Sequence, residues 1–455
     1  MSDFTLKENM KAFGVKQVIS YIDKDPEKNV PKILDWLIRT DKNGVVSNQA
    51  RVIKDAFQDG DNNWRRLILS LWTDVDDGVR RRLFENFVIN ASLIGSPRQI
   101  KLSEKENCNV PWAILMDPTS ACNLHCIGCW AADYGNRMNM TLAQMDDIVC
   151  QGKEMGTYFY IFSGGEPLVR KQDVLLLCAK HPECAFLSFT NGTLIDEDFA
   201  DQMLRVQNFV PAISVEGFED ATDARRGAGT YRAVVKAMEI LKRKKLPFGI
   251  SCCYTRENAE IIGSEAYIDE MISLGAKFMW LFTYMPVGRN AVPDLMVTPE
   301  QREYMYHKIR EYRKTKPIFT MDFWNDGEFV GGCIAGGRAY IHINANGDIE
   351  PCAFIHYSDS NIKTKTLLEA YQSPLFMQYR NGQPFNENHL RPCPLLDNPE
   401  RLAYMVDVSG AVSTDMESPE DVHALTAKCE HAAECWAAVA DDLWKQGHVC
   451  HHMKR

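Results

Sequence analysis

The stretch Thr119-Ser-Ala-Cys-Asn-Leu-His-Cys-Ile-Gly-Cys-Trp130 sets Cys122, Cys126 and Cys129 in a C-x3-C-x2-C triplet just past an apolar run at 111–116. Thiolates are the protein ligands of iron–sulfur clusters, and a four-iron cubane held by three of them keeps one iron open to an external ligand. A structural zinc site is an alternative, but it requires a fourth Cys or His at its own spacing, and His125 lies between two of the cysteines. Three core thiols are the other alternative, disfavoured by the turn-forming Asp117-Pro118 immediately upstream.

About one strand–helix unit downstream, Tyr158-Phe-Tyr-Ile-Phe162 reads as a buried strand that runs into Ser163-Gly-Gly-Glu-Pro167. Glycines at a strand end let the backbone approach a ligand closely, and Glu166 adds an acceptor for an ammonium group; taken alone, the motif is also an ordinary turn. Strand-like runs at 111–116, 158–162, 185–189, 209–215, 247–254 and 277–284 alternate with helix-like segments such as 142–155 and 231–244. Six such repeats predict an α/β chain of parallel strands joined by helical crossovers. In barrels of this kind active sites sit at the C-terminal strand ends, where both motifs fall.

Together the triplet and Gly164-Gly165-Glu166 resemble the radical S-adenosylmethionine superfamily. The resemblance implies an open, partial six-unit β/α barrel in which Cys122, Cys126 and Cys129 hold a [4Fe–4S] cluster and Gly164, Gly165 and Glu166 hold the methionine amino group of S-adenosylmethionine. It implies reductive cleavage of that cofactor to a 5′-deoxyadenosyl radical, which then abstracts a substrate hydrogen. Gly128 departs from the pattern, since the family carries an aromatic residue just before the third cysteine; Trp130 is the neighbouring candidate for packing near the adenine. Ser214-Val-Glu-Gly217 and Thr222-Asp-Ala-Arg-Arg-Gly227 are similar to the family's Ser-x-Asp-Gly…His-Asp-x-x-Arg-Gly, with Glu216 for Asp and Thr222 for His. By that likeness Ser214, Glu216 and Arg226 belong to the cofactor site, with a guanidinium suited to the cofactor carboxylate and Arg225 able to exchange roles with Arg226. Asn191, in Thr190-Asn191-Gly192, resembles the family's third-strand tip, although Asn-Gly is also a common plain turn.

Beyond the barrel, Thr298-Pro-Glu-Gln301 announces a helix with a capping box. The composition then shifts to Gly331-Gly-Cys-Ile-Ala-Gly-Gly337, and alternating residues around Asn346-Gly347 predict a hairpin flanked by Cys333 and Cys352. Gly347-x4-Cys352 resembles the start of a SPASM or shorter twitch extension, which implies one auxiliary [4Fe–4S] cluster on Cys333, Cys352 and Cys393, with Cys435 or Cys429 as a fourth ligand. The alternative is that Cys333 and Cys352 are buried small hydrophobes. The expected organisation is a helical region at 1–105, the barrel at 106–297 and the auxiliary-cluster extension at 298–455.

With 455 residues, 45% of them apolar, the chain is long enough for a catalytic core and added units at each end. Fifteen cysteines, an odd number, argue against a disulfide framework, and the absence of a secretion signal or membrane-length apolar run points to a cytoplasmic enzyme of an anaerobe. The net charge of −10 comes without the concentrated basic stripe of a nucleic-acid binder. Helically spaced Trp64, Leu67, Ile68, Leu71 and Trp72 predict a bundle packed on the barrel. An electron donor such as flavodoxin or ferredoxin is implied as a partner. A peptide or protein side chain is the first substrate expectation, since such extensions often accompany peptide maturation; a lipid or small metabolite is the second. An iron–sulfur electron carrier or redox sensor is the reading of another class, but a carrier has no use for Gly164-Gly165-Glu166, and no DNA-binding module accompanies the cysteines.

Overall fold

A computed structural model describes residues 6–40, 47–288 and 291–452. Strands β1 (Ala113–Thr119), β2 (Phe159–Gly164), β3 (Ala185–Thr190), β4 (Phe209–Ser214), β5 (Gly249–Tyr254), β6 (Phe278–Thr283) and β7 (Phe319–Asp322) lie side by side in chain order, all parallel. β8 (Tyr340–Ile343) adds in parallel to the other side of β1, and β9 (Ile349–Glu350) pairs antiparallel with β8. The nine-stranded sheet has β7 at one end and β9 at the other, so it is open as expected. The six strands read from sequence are β1 to β6. β7 escaped that reading because four residues are too few to display a period; β8 and β9 are the arms of the hairpin predicted around Asn346-Gly347, and what stayed hidden is that β8 joins β1, more than two hundred residues upstream.

Helices cover the outer face. In Leu142–Met155 the Thr141 side chain caps the first turn in a capping box with Gln144, and Met145, Ile148, Val149 and Gly152 form the buried stripe that packs on the sheet. The helix Pro299–Thr315 has the capping box of Thr298 and Gln301 that the sequence announces. The helical segments from Leu6 to Glu106 gather at the N-terminal ends of the strands. Phe87 packs on Phe159 at the start of β2, ring centroids 4.9 Å apart, and on Trp112 just before β1. Asn86 and Asn90 donate to the carbonyls of Cys184 (2.7 Å) and Glu183 (2.8 Å) at the entry to β3. This region stops the barrel at the end opposite the cysteine loop. Among the described residues no helix is long and apolar enough to cross a membrane.

The β8–β9 hairpin is tied into the barrel by buried charge. His342, 0% exposed, lies 2.5 Å from Glu350 through Nδ1, and its Nε2 is 3.0 Å from Asp117 of β1 at an angle too poor for a hydrogen bond. Tyr134 and Asn344 donate to Glu350 at 2.8 and 3.0 Å, and Ser163 donates to Asp117 at 2.9 Å. Burial opposes the imidazolium, but the two carboxylates outweigh it and push His342 up to about 10, so this histidine is charged at neutral pH.

Candidate functional site

The loop after β1 carries the triplet at the C-terminal end of the strands, with all three cysteines half-buried. Its start is fixed by two backbone bonds: Gly165 N–H donates to Thr119 O (3.0 Å) and Glu166 N–H to Ala121 O (2.9 Å). A side chain at Gly165 would meet Ala121 O at 2.3 Å, so the glycine serves the close approach of the β2 tip to the cysteine loop. Further along, Ile127 N–H donates to Arg225 O (2.9 Å) and Arg225 Nε to Ile127 O (3.2 Å).

Glu166 is 1% exposed and fully engaged with the protein: its carboxylate accepts from Leu168 N (2.9 Å), Thr190 Oγ1 (2.6 Å) and Asn191 N (2.7 Å). It therefore braces β2 against the tip of β3, and burial pushes its carboxyl up. Asn191 donates to Asn123 Oδ1 (2.8 Å) and lies 4.0 Å from Cys122 Sγ. Ser214, half-buried, ends β4 in register with Ser251.

Glu216, completely buried, accepts from Arg225 Nη1 (2.7 Å), Arg226 Nε (2.9 Å) and Cys253 N (3.0 Å). Burial alone would raise its carboxyl, yet the two guanidiniums hold it below the usual range. Arg226 also points Nη1 at Cys126 Sγ, 3.9 Å away. Two cations against one carboxylate leave a surplus positive charge beside the triplet, while burial still pushes the Cys122 thiol up to about 11 and raises that of Cys129. Gly128 has φ +66°, and a Cβ on it would meet the Tyr284 ring at 2.6 Å. Tyr284, just past β6, thus fills the space beside the third cysteine, a placement no local pattern discloses. Trp130 turns the other way, edge-on to His342, Phe354 and His356 at 5.7–6.0 Å.

Cys333, Cys352 and Cys393 come together from three separate segments, each raising the pKa of another of the three, and burial pushes each thiol up to about 12. Tyr340 OH is 2.7 Å from Cys352 Sγ. The fourth member beside them is Cys429, fully buried, whose thiol is raised by burial and then by Cys393. The structure does not bring Cys435 to this group. Six residues further along the same helix is roughly 240° around the axis from Cys429, and Cys435 Sγ sits 3.6 Å from His431 on an exposed stretch.

Both groups fit a metal cluster by one local feature. Cys122 and Cys393 each receive the backbone N–H two residues ahead, from Leu124 and Leu395 at 3.4 Å, and the backbone N–H groups of Ala131, Ala335 and Phe354 likewise favour the thiolates of Cys129, Cys333 and Cys352. Cys393 takes a second such bond from Leu396 at 3.3 Å. N–H donors aimed at sulfur stabilise the thiolate that binds metal, and metal binding releases the thiol protons. Among the described residues, neither group draws three ligand atoms within 4.8 Å of one another.

An open parallel barrel with three thiols on its first strand-to-helix loop, backed by a glycine-rich second strand end, defines an iron–sulfur enzyme of the partial-barrel class. Residues 116–263 match the model of the Radical SAM superfamily, so the chain carries a radical SAM domain. It is a radical S-adenosylmethionine enzyme, with a [4Fe–4S] cluster and S-adenosylmethionine as cofactors. The AdoMet-dependent heme synthase of Methanosarcina barkeri is 23% identical over 295 residues, covering 58% of this chain and 83% of that one. The mycofactocin maturase MftC of Mycolicibacterium smegmatis is 28% identical over 278 residues, covering 57% and 68%. The structure of Streptococcus suis SuiB bound to its precursor peptide SuiA superposes with a TM-score of 0.53 at 18% identity, covering 64% of this chain and 72% of that one, a likeness of fold.

Proposed function

We propose that this enzyme modifies a peptide or protein side chain by hydrogen abstraction, using the cluster on Cys122, Cys126 and Cys129 and one auxiliary cluster on Cys333, Cys352, Cys393 and Cys429. The observation that carries it is the repeated N–H-to-sulfur turn in two separate cysteine groups. When bound, the cluster and S-adenosylmethionine supply a carbon-centred radical able to take a hydrogen atom. The chain's own residues do the positioning. Glu166 locks β2 to β3 beneath Gly164 and Gly165; Glu216 orients Arg226 toward Cys126; Asn191 holds Asn123 in the cysteine loop; Ser214 stands half-buried at the end of β4. In this reading the chain divides into the helical stop 1–105, the barrel 106–297 and the auxiliary-cluster extension 298–455, and works in the cytoplasm with a flavodoxin or ferredoxin as donor.

Peptide maturation is supported by the likeness to the maturase MftC and to SuiB, whose structure holds a precursor peptide. The heme synthase relative favours a second reading, a small metabolite. Anaerobic incubation with the products of neighbouring genes, followed by mass spectrometry, tests the choice. A mass change on a peptide is the expected result; a change confined to small molecules overturns it in favour of the second reading.

The fourth auxiliary ligand has its own test. Cys429→Ala is expected to lower the iron of the reconstituted protein or to alter the auxiliary cluster's electron paramagnetic resonance signal, while Cys435→Ala leaves both as in the parent. The reverse pattern would return Cys435 to the site and make Cys429 a core thiol.

A further inference from the structure

Accessibility alternates along β6 and β7 and, from Ile250 onward, along β5. Their outward residues are buried under helices, while the inward ones, among them Ser251, Cys253, Phe278, Trp280, Phe282 and Phe323 at the end of β7, are only half-buried. Parallel sheets are ordinarily covered on both faces, and closed barrels fill their interiors with branched aliphatic layers. Here the open lumen is walled by rings. Trp280 lies against Phe189 (centroids 5.3 Å) and Phe323 (5.5 Å), and Phe282 against Phe323 (4.9 Å) and Phe189 (5.5 Å). Beside them in register stand small residues, Ser251 next to Trp280 and Cys253 next to Phe282, which fill little of the space before the half-buried rings.

Water-reachable aromatic surface costs about 25 cal/mol per Å² until something covers it. The charged side of the lumen is closed to a ligand, because Asp117, His342 and Glu350 are 0–1% exposed and held together as a buried ion cluster. Trp280 Nε1 is buried without an acceptor among the described residues, a cost of about 1–3 kcal/mol that a ligand acceptor relieves with a small turn of the indole. The wall also adjoins the cofactor site: Cys253, in register with Phe282, donates its N–H to Glu216, the partner of Arg226.

Resting on the radical-enzyme reading above, we propose that the group of the substrate held beside the cofactor is an aromatic ring, stacked on Trp280, Phe282 and Phe323. Offset and edge-on ring pairs gain about 0.5–1.5 kcal/mol beyond their buried area, so the wall discriminates in favour of a ring over an aliphatic group of equal size. The ring belongs either to a peptide side chain or to a planar macrocycle, and binding experiments separate the two.

The reconstituted full chain, with S-adenosylmethionine, is titrated with three probes: a pentapeptide with central phenylalanine, the same peptide with central cyclohexylalanine, and iron coproporphyrin III. Tryptophan fluorescence and equilibrium dialysis read binding. The phenyl peptide or the macrocycle is expected to bind at least tenfold tighter than the cyclohexyl peptide, and Trp280→Leu and Phe282→Leu each to erase that preference. Whichever probe wins identifies the source of the ring. No preference over cyclohexyl in the parent, or a preference that survives both substitutions, overturns the proposal. Deoxyadenosine formation by the parent in the same samples keeps the two layers apart: its absence strikes the radical-enzyme reading, while its presence without ring preference strikes the aromatic site alone.

Discussion

Alanine at Cys122, Cys126 and Cys129 together is expected to abolish S-adenosylmethionine cleavage while leaving about four irons per chain. The two cysteine groups sit on different segments: the triplet on one loop after β1, the other on the turn before β8, the end of β9, the loop around Cys393 and the C-terminal helix. Nothing in the second group depends on the triplet for its hydrogen bonds, since Cys333, Cys352 and Cys393 each draw on their own backbone two residues ahead. Iron analysis, the visible spectrum and chromatography of 5′-deoxyadenosine after anaerobic reconstitution give the answer. A folded triple variant with no iron and no cluster spectrum would end the auxiliary assignment. Residual deoxyadenosine at the parent rate would end the assignment of the triplet.

The second large effect is on stability. His342→Leu removes the cation between Asp117 and Glu350 and leaves two carboxylates buried without it, a change that typically costs about 3–5 kcal/mol. The hairpin bearing Cys352 should loosen from β1, seen as a lower midpoint in anaerobic urea unfolding and faster amide exchange in residues 340–350. A midpoint within experimental error of the parent would mean that the network contributes nothing net. The pH dependence follows from the sign of the shift. The folded pKa of His342 is raised, to about 10, above its ordinary value of about 6.5. Its stabilisation is therefore complete below about 6.5, declines above that, and is lost as pH rises through about 10. The parent is expected to lose this increment between neutral pH and about 10, and the leucine variant to show a flatter profile there.

What could be read from sequence was what short stretches encode by themselves. The capping box of Thr298 and Gln301, the Asn346-Gly347 turn and the six longer strands each announce themselves within a few residues. The triplet and the glycines after β2 were visible for the same reason. Hidden were contacts between distant segments: β8 against β1, Tyr284 over Gly128, the brace from Glu166 to Asn191, and the pairing of Glu216 with both arginines. The choice between Cys429 and Cys435 was hidden too, because spacing along a helix does not say which side faces inward, and packing decides it. The packing of Trp130 against His342 and Phe354 of the hairpin region was likewise out of reach of local sequence.

The parallel pairing of β8 with β1 also bears on how such an enzyme can be taken apart. If the chain ended after β7, the first barrel strand would become an outer strand along Ala113–Met116, its hydrogen-bonding groups bare and its flank apolar. Strand edges of that kind recruit other chains and drive aggregation. The extension is thus a lateral seal as well as a cysteine carrier, and a fragment lacking it is a poor surrogate for the enzyme's core. Replacing the extension in a chimera, or losing it in the course of evolution, demands that another strand take over the same flank of β1.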